Sequence, residues 1–270
     1  MKKNPLEEFI GQDKLIGRPM KLNRVELQVN SKGYAPLLFF GDLHWGNPQC
    51  QIKQAKSMLD WALKENVSTL IMGDLLEMSL RDSVGYGVYQ QKLNPQQQVE
   101  EMIDLLTPLA NKGLIIGLHT GNHEERITKG TGIDIMKMMS KVLKVPYCGY
   151  ACWHLIRVGG QNYTMYSTHG SSNSTQSYTK LNAAIKIGYF LNSDVIAYGH
   201  THELSTATRI IQQVDLRNKM IVEKKQYIVM TGSYLGWEGG YAQVKGLPIA
   251  KLGSPKAKFL ANERDVHFSL

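Results

Sequence analysis

The sequence predicts a single α/β domain that contains two β-sheets. Three observations support this fold class: short apolar runs alternate with amphipathic stretches in the first half, strand-like segments predominate in the second half, and no repeat or low-complexity linker divides the chain. A chain of 270 residues can bury a large core, and a hydrophobic content of 43% with 20% charged residues excludes a disordered polypeptide.

The first half follows a β-α-β-α-β pattern. Apolar runs predict buried strands over residues 35–40, 67–72 and 114–118, with helices between them over about 48–65 and 95–111. Asn94-Pro95 opens the second of these helices, because proline is favoured in a first helical turn. Strands that are joined through helices pair in parallel and are covered by those helices.

Strands predominate in the second half. They are predicted over residues 150–158, 163–168, 194–198, 206–212 and 226–231, with one helix over about 178–191. The first two strands should pair antiparallel through the turn at 159–162. Residues 1–34 are weakly periodic and interrupted by glycines, so we expect an irregular N-terminal arm that packs on a domain spanning residues 35–270.

The charge balance favours an anionic partner. The chain has 31 basic and 23 acidic residues, a net charge of +8, and part of the excess lies in an acid-free stretch that contains Lys245, Lys251, Lys256 and Lys258. This stretch is interpreted either as a contact surface for a nucleic-acid or nucleotide phosphate backbone or as a solvated basic edge. No apolar run approaches the ~18–20 residues of a membrane helix, so no membrane partner is expected.

The cysteines indicate a reducing environment. Cys50, Cys148 and Cys152 cannot all pair, and they lack the CxxC spacing of a structural zinc site. We therefore expect a cytoplasmic protein without a disulfide framework.

Two histidines, His119 and His154, lie in or beside apolar strands and are expected to be hydrogen-bonded structural histidines.

Side chains that can bind metals follow five predicted strands, at the point where each strand ends. The stretches are Gly41-Asp42-Leu43-His44, Gly73-Asp74, Gly121-Asn122-His123-Glu124, Thr168-His169-Gly170 and Gly199-His200-Thr201-His202. Because ligands bind outside the carboxyl ends of strands in α/β sheets, we expect these side chains to converge. Any one stretch is explained by a turn or a structural histidine, but the ordered set of five is not.

The donor types indicate the metal and the chemistry. Carboxylate oxygens and imidazole nitrogens without thiolates suit Mn, Fe or Zn. The two carboxylate oxygens of Asp74 are able to bridge two cations, and a pair of cations is the usual arrangement for phosphoryl transfer.

Together, the five stretches resemble the signature motifs of the calcineurin-like metallophosphoesterases, over roughly residues 35–205. The resemblance implies a two-sheet β-sandwich flanked by helices, with a dinuclear metal centre along one edge. It also implies that Asp74 bridges two divalent ions, for which Mn²⁺ is expected and Fe, Zn or Ni are the alternatives. The implied ligands of one ion are Asp42, His44 and His202, and those of the other are Asn122, His169 and His200.

The resemblance extends to groups that act on the substrate. His123 matches the family's histidine that contacts the phosphate and protonates the leaving oxygen without binding metal. A histidine beside two cations needs a carboxylate to stay protonated, and Glu77 occupies the position of such an acid in several branches, with Glu124 as the other candidate.

The loop after Asp74, at the second metal-binding strand end, should lie over the metals. It offers Arg81 as a phosphate donor. Tyr86 and Tyr89 are interpreted as surfaces for base stacking or as side chains that pack within the loop.

Departures from the family pattern narrow the branch. Glu77 is followed by Met78-Ser79 and not by the Arg-Gly of the protein phosphatases, and the chain leaves little room for the cap of the double-strand-break repair nucleases. Residues 78–97 resemble small phage- and prophage-encoded members. We therefore expect a two-metal hydrolase of a nucleotide phosphodiester, a small nuclease or phosphodiesterase, whose partner is a nucleic acid or nucleotide. The alternatives are a hydrolase of a small or cyclic nucleotide or a phosphomonoester and, in another class, a non-catalytic metal-bearing binding module.

Overall fold

The first of two sheets contains the predicted parallel strands. The computed structural model describes residues 20–81, 83, 88–172 and 174–270. The parallel strands are β2 (Tyr34–Phe40), β3 (Ser68–Ile71), β4 (Ile115–His119) and β5 (Tyr147–Gly149). Two antiparallel strands, β11 (Lys256–Leu260) and β12 (Val266–Ser269), extend this sheet beside β2, which gives the order β12-β11-β2-β3-β4-β5. The carboxyl ends of three predicted strands therefore lie side by side.

Helices cover the outer face of this sheet. They are α1 (Ile52–Lys64), α2 (Pro95–Asn111), α3 (Asn122–Thr131) and α4 (Ile135–Leu143). The predicted start of α2 is confirmed: the Asn94 side chain accepts a hydrogen bond from the Gln97 amide, and the Gln97 side chain accepts one from the Asn94 backbone N–H. The sequence analysis does not predict α3 or α4. The sequence of α3 is mostly polar, and this helix begins inside the motif Gly121-Asn122-His123-Glu124.

The second sheet combines the predicted second-half strands with one from the N-terminal segment. Its order is β1-β6-β7-β8-β10-β9, and helix α5 (Ser177–Phe190) covers its outer face. The strands are β1 (Lys21–Glu26), β6 (Ala151–Val158), β7 (Gln161–Thr168), β8 (Val195–Tyr198), β9 (Leu204–Asp215) and β10 (Met220–Thr231). The β6–β7 antiparallel pair is confirmed. The β9–β10 hairpin is much longer than the sequence predicted, and a short helix, α6 (Tyr241–Val244), follows it.

Strand β1 differs from the irregular arm expected over residues 1–34. Residues 21–26 pair in parallel with β6 at the edge of the second sheet. Their side chains are exposed or half-buried, so the sequence lacks the apolar run that identifies a buried strand. Residues 1–19 lie outside the described part of the chain, and the domain boundary at residue 35 stays a prediction.

The two sheets pack face to face, which confirms the two-sheet α/β class. Alternate side chains of β2, including Leu37 and Phe39, meet Ile156, Met165 and others from the second sheet in a shared core, while Leu38 and Phe40 point to the helices. The carboxyl ends of strands from both sheets therefore come together at one edge of the sandwich. No helix among the described residues is long and apolar enough to cross a membrane.

Candidate metal centre

All seven predicted metal ligands meet at this edge. Each follows the end of a strand: Asp42 and His44 follow β2, Asp74 follows β3, Asn122 follows β4, His169 follows β7, and His200 and His202 follow β8. The carboxylates and two of the histidines are almost fully buried, whereas Asn122, His200 and His202 are half-buried at the surface of the cleft. Residues far apart in the sequence thus present nitrogen and oxygen atoms to one another.

The backbone at these positions is unusual. Five of the nine non-glycine residues with positive φ among the described residues are predicted ligands, namely Asp42, His44, Asp74, His200 and His202, with φ between 45° and 67°. Non-glycine residues avoid this left-handed region, and each such residue costs on the order of 1–3 kcal/mol. The surrounding structure holds these turns, which direct the side chains back over the sheet edge, so the strain makes this edge the candidate functional site.

The first group of ligands is Asp42, His44 and His202, whose ligand atoms lie within 4.8 Å of one another. Nδ1–H of His44 donates to the carboxylate of Glu77 at 3.2 Å, which leaves the Nε2 lone pair facing Nε2 of His202 at 3.0 Å. Oδ1 of Asp42 is buried without a hydrogen-bond partner and lies 3.5 Å from Nε2 of His202. Lone pairs that face one another around an unpartnered carboxylate oxygen fit a cation.

The second group is Asp74, His169 and His200, joined by Asn122. Nδ1–H of His169 donates to the Met72 carbonyl at 2.9 Å, so its Nε2 faces Oδ2 of Asp74 at 3.3 Å and Oδ1 of Asn122 at 3.1 Å. Nδ1 of His200 lies 2.6 Å from the same Asn122 oxygen. Asp74 also belongs to a group with His44 and His123, so it lies within reach of both sets.

Burial makes the protein charges at this edge unfavourable without a cation. It raises the pKa of Asp42 to about 7, because the carboxylate is removed from water. Burial opposes protonation of His169, but the Asp74 carboxylate, with Asp42 and the Met72 carbonyl, outweighs it and raises the pKa of that histidine to about 10. Divalent cations would favour the ionised carboxylates and the neutral imidazoles, so the donor set fits two metal ions.

His123 lies beside the ligands but is held by other groups. Its Nδ1–H donates to the Glu77 carbonyl at 2.8 Å, and its Nε2 accepts a hydrogen bond from Arg126 at 3.0 Å. Burial, together with the nearby His44 and Arg126, lowers the pKa of His123 to about 4, although Asp74 and Glu77 act in the opposite direction. The imidazole is therefore neutral in this arrangement. Arg126 was not predicted, although a residue three positions after His123 on a helix lies on the same face.

The two candidate acids have different contacts from those expected. The Glu77 carboxylate contacts the ligand His44 and accepts from the Ser79 hydroxyl at 2.9 Å, whereas its main-chain carbonyl holds His123. Oε2 of Glu77 is 3.7 Å from Nδ1 of His123. Glu124 accepts hydrogen bonds from the amides of Gly121, Asp74 and Leu76, at 2.8, 3.2 and 3.0 Å. Glu124 thus positions the backbone around the Asp74 carboxylate.

The loop residues proposed for substrate binding are less closely placed. Arg81 is exposed, Tyr89 is 84% exposed, and Tyr86 lies outside the described residues. The structure therefore brings together the seven ligands, His123 and Glu77, and leaves Arg81 and Tyr89 facing solvent.

The structural histidines have the role expected of them. Nδ1–H of His119 donates to the Gly149 carbonyl at 2.9 Å, and the Ser167 hydroxyl bridges Nε2 of His119 and Nε2 of His154, at 2.7 and 2.6 Å. Cys148 lies close to both histidines in the core between the sheets. This hydrogen-bond network satisfies the polar groups that the core buries.

No family model and no curated protein matches the chain. Among solved structures, similar folds include an uncharacterised protein (predicted phosphoesterase) from Streptococcus pneumoniae, at 12% identity over 86% of this chain and 87% of that chain, with a TM-score of 0.39. A metallophosphoesterase from Sphaerobacter thermophilus has 12% identity over the same shares, with a TM-score of 0.37. Vacuolar Protein Sorting 29 from Cryptosporidium parvum has 14% identity over 87% and 97%, with a TM-score of 0.43. Likeness at this level does not assign an activity, so the function has to be inferred from the residues of this chain.

Proposed function

We propose that the chain is a two-metal phosphoesterase that hydrolyses a nucleotide phosphodiester. The observation that carries the proposal is the position of Asp74, within reach of two sets of nitrogen and oxygen ligands, with His123 beside both sets and anchored elsewhere. The ligands contain no thiolate, which favours Mn²⁺ over softer metals. The three cysteines are free and buried, in keeping with a reducing, cytoplasmic setting.

Some residues of the cleft would bind the metal ions, and others would transfer a proton or bind the phosphate. A bound pair of divalent cations would activate water and neutralise charge on the phosphate oxygens. The Glu77 carbonyl fixes Nδ1–H of His123, so that Nε2 is the atom that can hold a proton for the leaving oxygen. Arg126 donates to the same Nε2, so that nitrogen carries no proton in this arrangement. An anionic phosphate would compete for the guanidinium and release Nε2, and the negative charge of the phosphate would favour uptake of a proton from water at Nε2, which then passes to the leaving oxygen.

A hydrolase of small or cyclic nucleotides is the second candidate. Two lysines of the basic stretch lie over aromatic rings: Lys256 is 4.6 Å from the Trp61 centroid and Lys258 is 5.1 Å from that of Tyr34. Trp61 belongs to the helical layer, and Lys256 pairs opposite Leu38, whose side chain faces that layer. These cations therefore lie on the helix-covered face, which favours a substrate that ends near the metals.

The test compares a chromogenic diester with a monoester. Purified protein with Mn²⁺ is expected to hydrolyse bis-p-nitrophenyl phosphate with a higher kcat/KM than p-nitrophenyl phosphate. His123→Ala should keep its metal content and lose about 10²–10⁴-fold in kcat, because it removes the proton donor and no ligand. Glu125→Gln is the matched control: it lies on the same helix and pairs with Lys129, and its activity should be unchanged.

Each other result selects a different function. Hydrolysis of the monoester alone would make the chain a phosphomonoesterase, and full metal binding without hydrolysis of either compound would make it a binding module. Loss of metal in His123→Ala would make that histidine a ligand and overturn its assigned role. Once diesterase activity is established, kcat/KM is compared for a long single strand and for a cyclic nucleotide. The better substrate decides between a nuclease and a hydrolase of small or cyclic nucleotides.

A further inference from the structure

The outer edge of β9 is open along the whole strand. β9 lies at the end of the second sheet and pairs only with β10 among the described residues. The next strand, β8, has four residues and pairs with β10 over Tyr227–Met230. The distal parts of β9 and β10 therefore extend past their neighbours as a two-stranded ribbon, with unpaired backbone groups along β9.

The other three sheet edges of the described chain are protected against pairing. β5 has three residues and β12 has four, while β1 carries the charged residues Lys21, Arg24 and Glu26. Short or charged edge strands resist the addition of another strand. β9 has twelve residues, no lysine or proline, and two charged residues, Arg209 and Asp215. It is the one edge of the four without such protection.

The ribbon also exposes apolar side chains that a monomer would leave in water. Ile210 is 55% exposed and Val214 is 64% exposed, and Ile221 of β10, which pairs opposite Val214, is 68% exposed. These three side chains share one face of the ribbon, because residues two apart on a strand, and residues directly opposed across a pair, point to the same side. A strand added to the edge of β9 would place its own side chains beside Ile210 and Val214 on this face and remove part of their surface from water.

We propose that β9 pairs antiparallel with β9 of a second copy of this chain, around a two-fold axis at Gln212. A two-fold axis perpendicular to the sheet keeps every side chain on its own face of the sheet. Because directly opposed residues share a face, the axis must pass through a position where one residue lies opposite the same residue of the second copy. With Gln212 on the axis, Arg209 opposes Asp215 and Ile210 opposes Val214, and symmetry makes each pairing twice. The second sheet of one copy and the second sheet of the other then form one continuous sheet of twelve strands across the dimer.

Neighbouring registers lose this complementarity. An axis at Ile211 would oppose Ile210 to Gln212 and Arg209 to Gln213, so neither the charged pair nor the apolar pair would form. The β9 sequence is complementary to itself when it runs antiparallel. This self-complementarity is the reason to assign a second copy of the chain, and not a different chain, as the partner that pairs with β9. An isologous contact of this kind closes at two copies, and the unpaired edge disappears.

Cysteine cross-linking tests the register directly. Gln212→Cys places two thiols opposite each other across the axis, whereas Gln213→Cys opposes its thiol to Ile211 of the second copy. Oxidised glutathione accepts the two electrons and two protons that leave as the disulfide forms. The native cysteines are buried, so they do not compete. A covalent dimer is expected for Gln212→Cys and little or none for Gln213→Cys; equal cross-linking, or a preference for Gln213→Cys, would overturn the register.

Sedimentation of the unmodified protein tests the dimer itself. The chain should sediment as a concentration-dependent dimer, and the double variant Ile210→Lys/Val214→Lys should raise the dissociation constant at least about tenfold, because like charges would oppose each other twice. Ile249→Lys is the control, since Ile249 is 74% exposed outside the ribbon, and it should leave the constant unchanged. A chain that stays monomeric would overturn the proposal, and this result includes the case in which a different protein covers β9. A dimer whose dissociation constant changes equally in Ile210→Lys/Val214→Lys and in Ile249→Lys would overturn it as well.

Discussion

Gly121→Ala is the substitution whose effect follows most directly from the geometry of the metal centre. Gly121 lies between β4 and α3, with a φ of −96° that any residue adopts, so backbone strain plays no part. A Cβ at this position would lie 2.0 Å from Oδ1 and 2.3 Å from the amide nitrogen of Asp74, where real Cβ contacts stay beyond 3.0 Å. The Asp74 carboxylate or the helix start must therefore move by about an ångström.

That displacement has two measurable consequences. Overpacking of a buried site costs about 1–3 kcal/mol, and here it also disturbs the hydrogen bond from the His123 amide to Oδ1 of Asp74. Metal ligands tolerate shifts of only about 0.2 Å, so we expect metal affinity to fall by at least the roughly 10–100-fold that misoriented supporting groups produce.

Denaturant unfolding with a chelator present measures the first effect, and titration with Mn²⁺ measures the second. Gly130→Ala is the matched control: it lies in the same helix with no atom within 4 Å of the added Cβ, and it should stabilise the protein by about 0.5–1 kcal/mol. Unchanged stability together with unchanged Mn²⁺ affinity in Gly121→Ala would refute the close packing of Gly121 against Asp74.

Three further substitutions test other parts of the site. Asp74→Asn should reduce binding of both metal ions, because it removes the one carboxylate charge within reach of both ligand sets; metal analysis that finds two tightly bound ions would exclude bridging. Glu77→Gln should weaken metal binding about 10–100-fold, since it removes the charge that orients His44, and Glu125→Gln is the control; equal affinities would assign Glu77 no role in the centre. Replacement of the four lysines of the basic stretch by glutamine should raise KM for a long single strand and leave a chromogenic diester unaffected, if they bind phosphates outside the cleft. Equal effects on both substrates would exclude such a track, and no effect on either would favour the small-nucleotide candidate.

The sequence by itself determined the strands that carry the predicted ligands and the polar residues that follow those strands. Buried parallel strands are short apolar runs, and the polar residue that follows such a run stands out, as Asp42 does after Phe40. Because the carboxyl ends of parallel strands share an edge, local patterns were enough to expect Asp42 beside Asp74 and His169 beside His200, whereas the packing of the two sheets brings these two pairs together.

Tertiary structure decided what lies around the ligands. Whether Glu77 supports His44 or His123 depends on a side-chain rotamer and on the turn that carries it, and both are set by packing between elements distant in sequence. Arg126 could not be placed without helix α3, whose sequence is mostly polar and contains one large apolar residue, Ile127.

The sheet edges were also beyond the reach of local patterns. β1 has the composition of an exposed segment, and only its pairing with β6 makes it a strand. The open edge of β9 exists because β8 is short while β9 and β10 are long, and relative strand lengths become visible only when the strands are aligned in the sheet. Side-chain identity is local information, whereas neighbours, orientation and exposure arise from the packing of the whole chain.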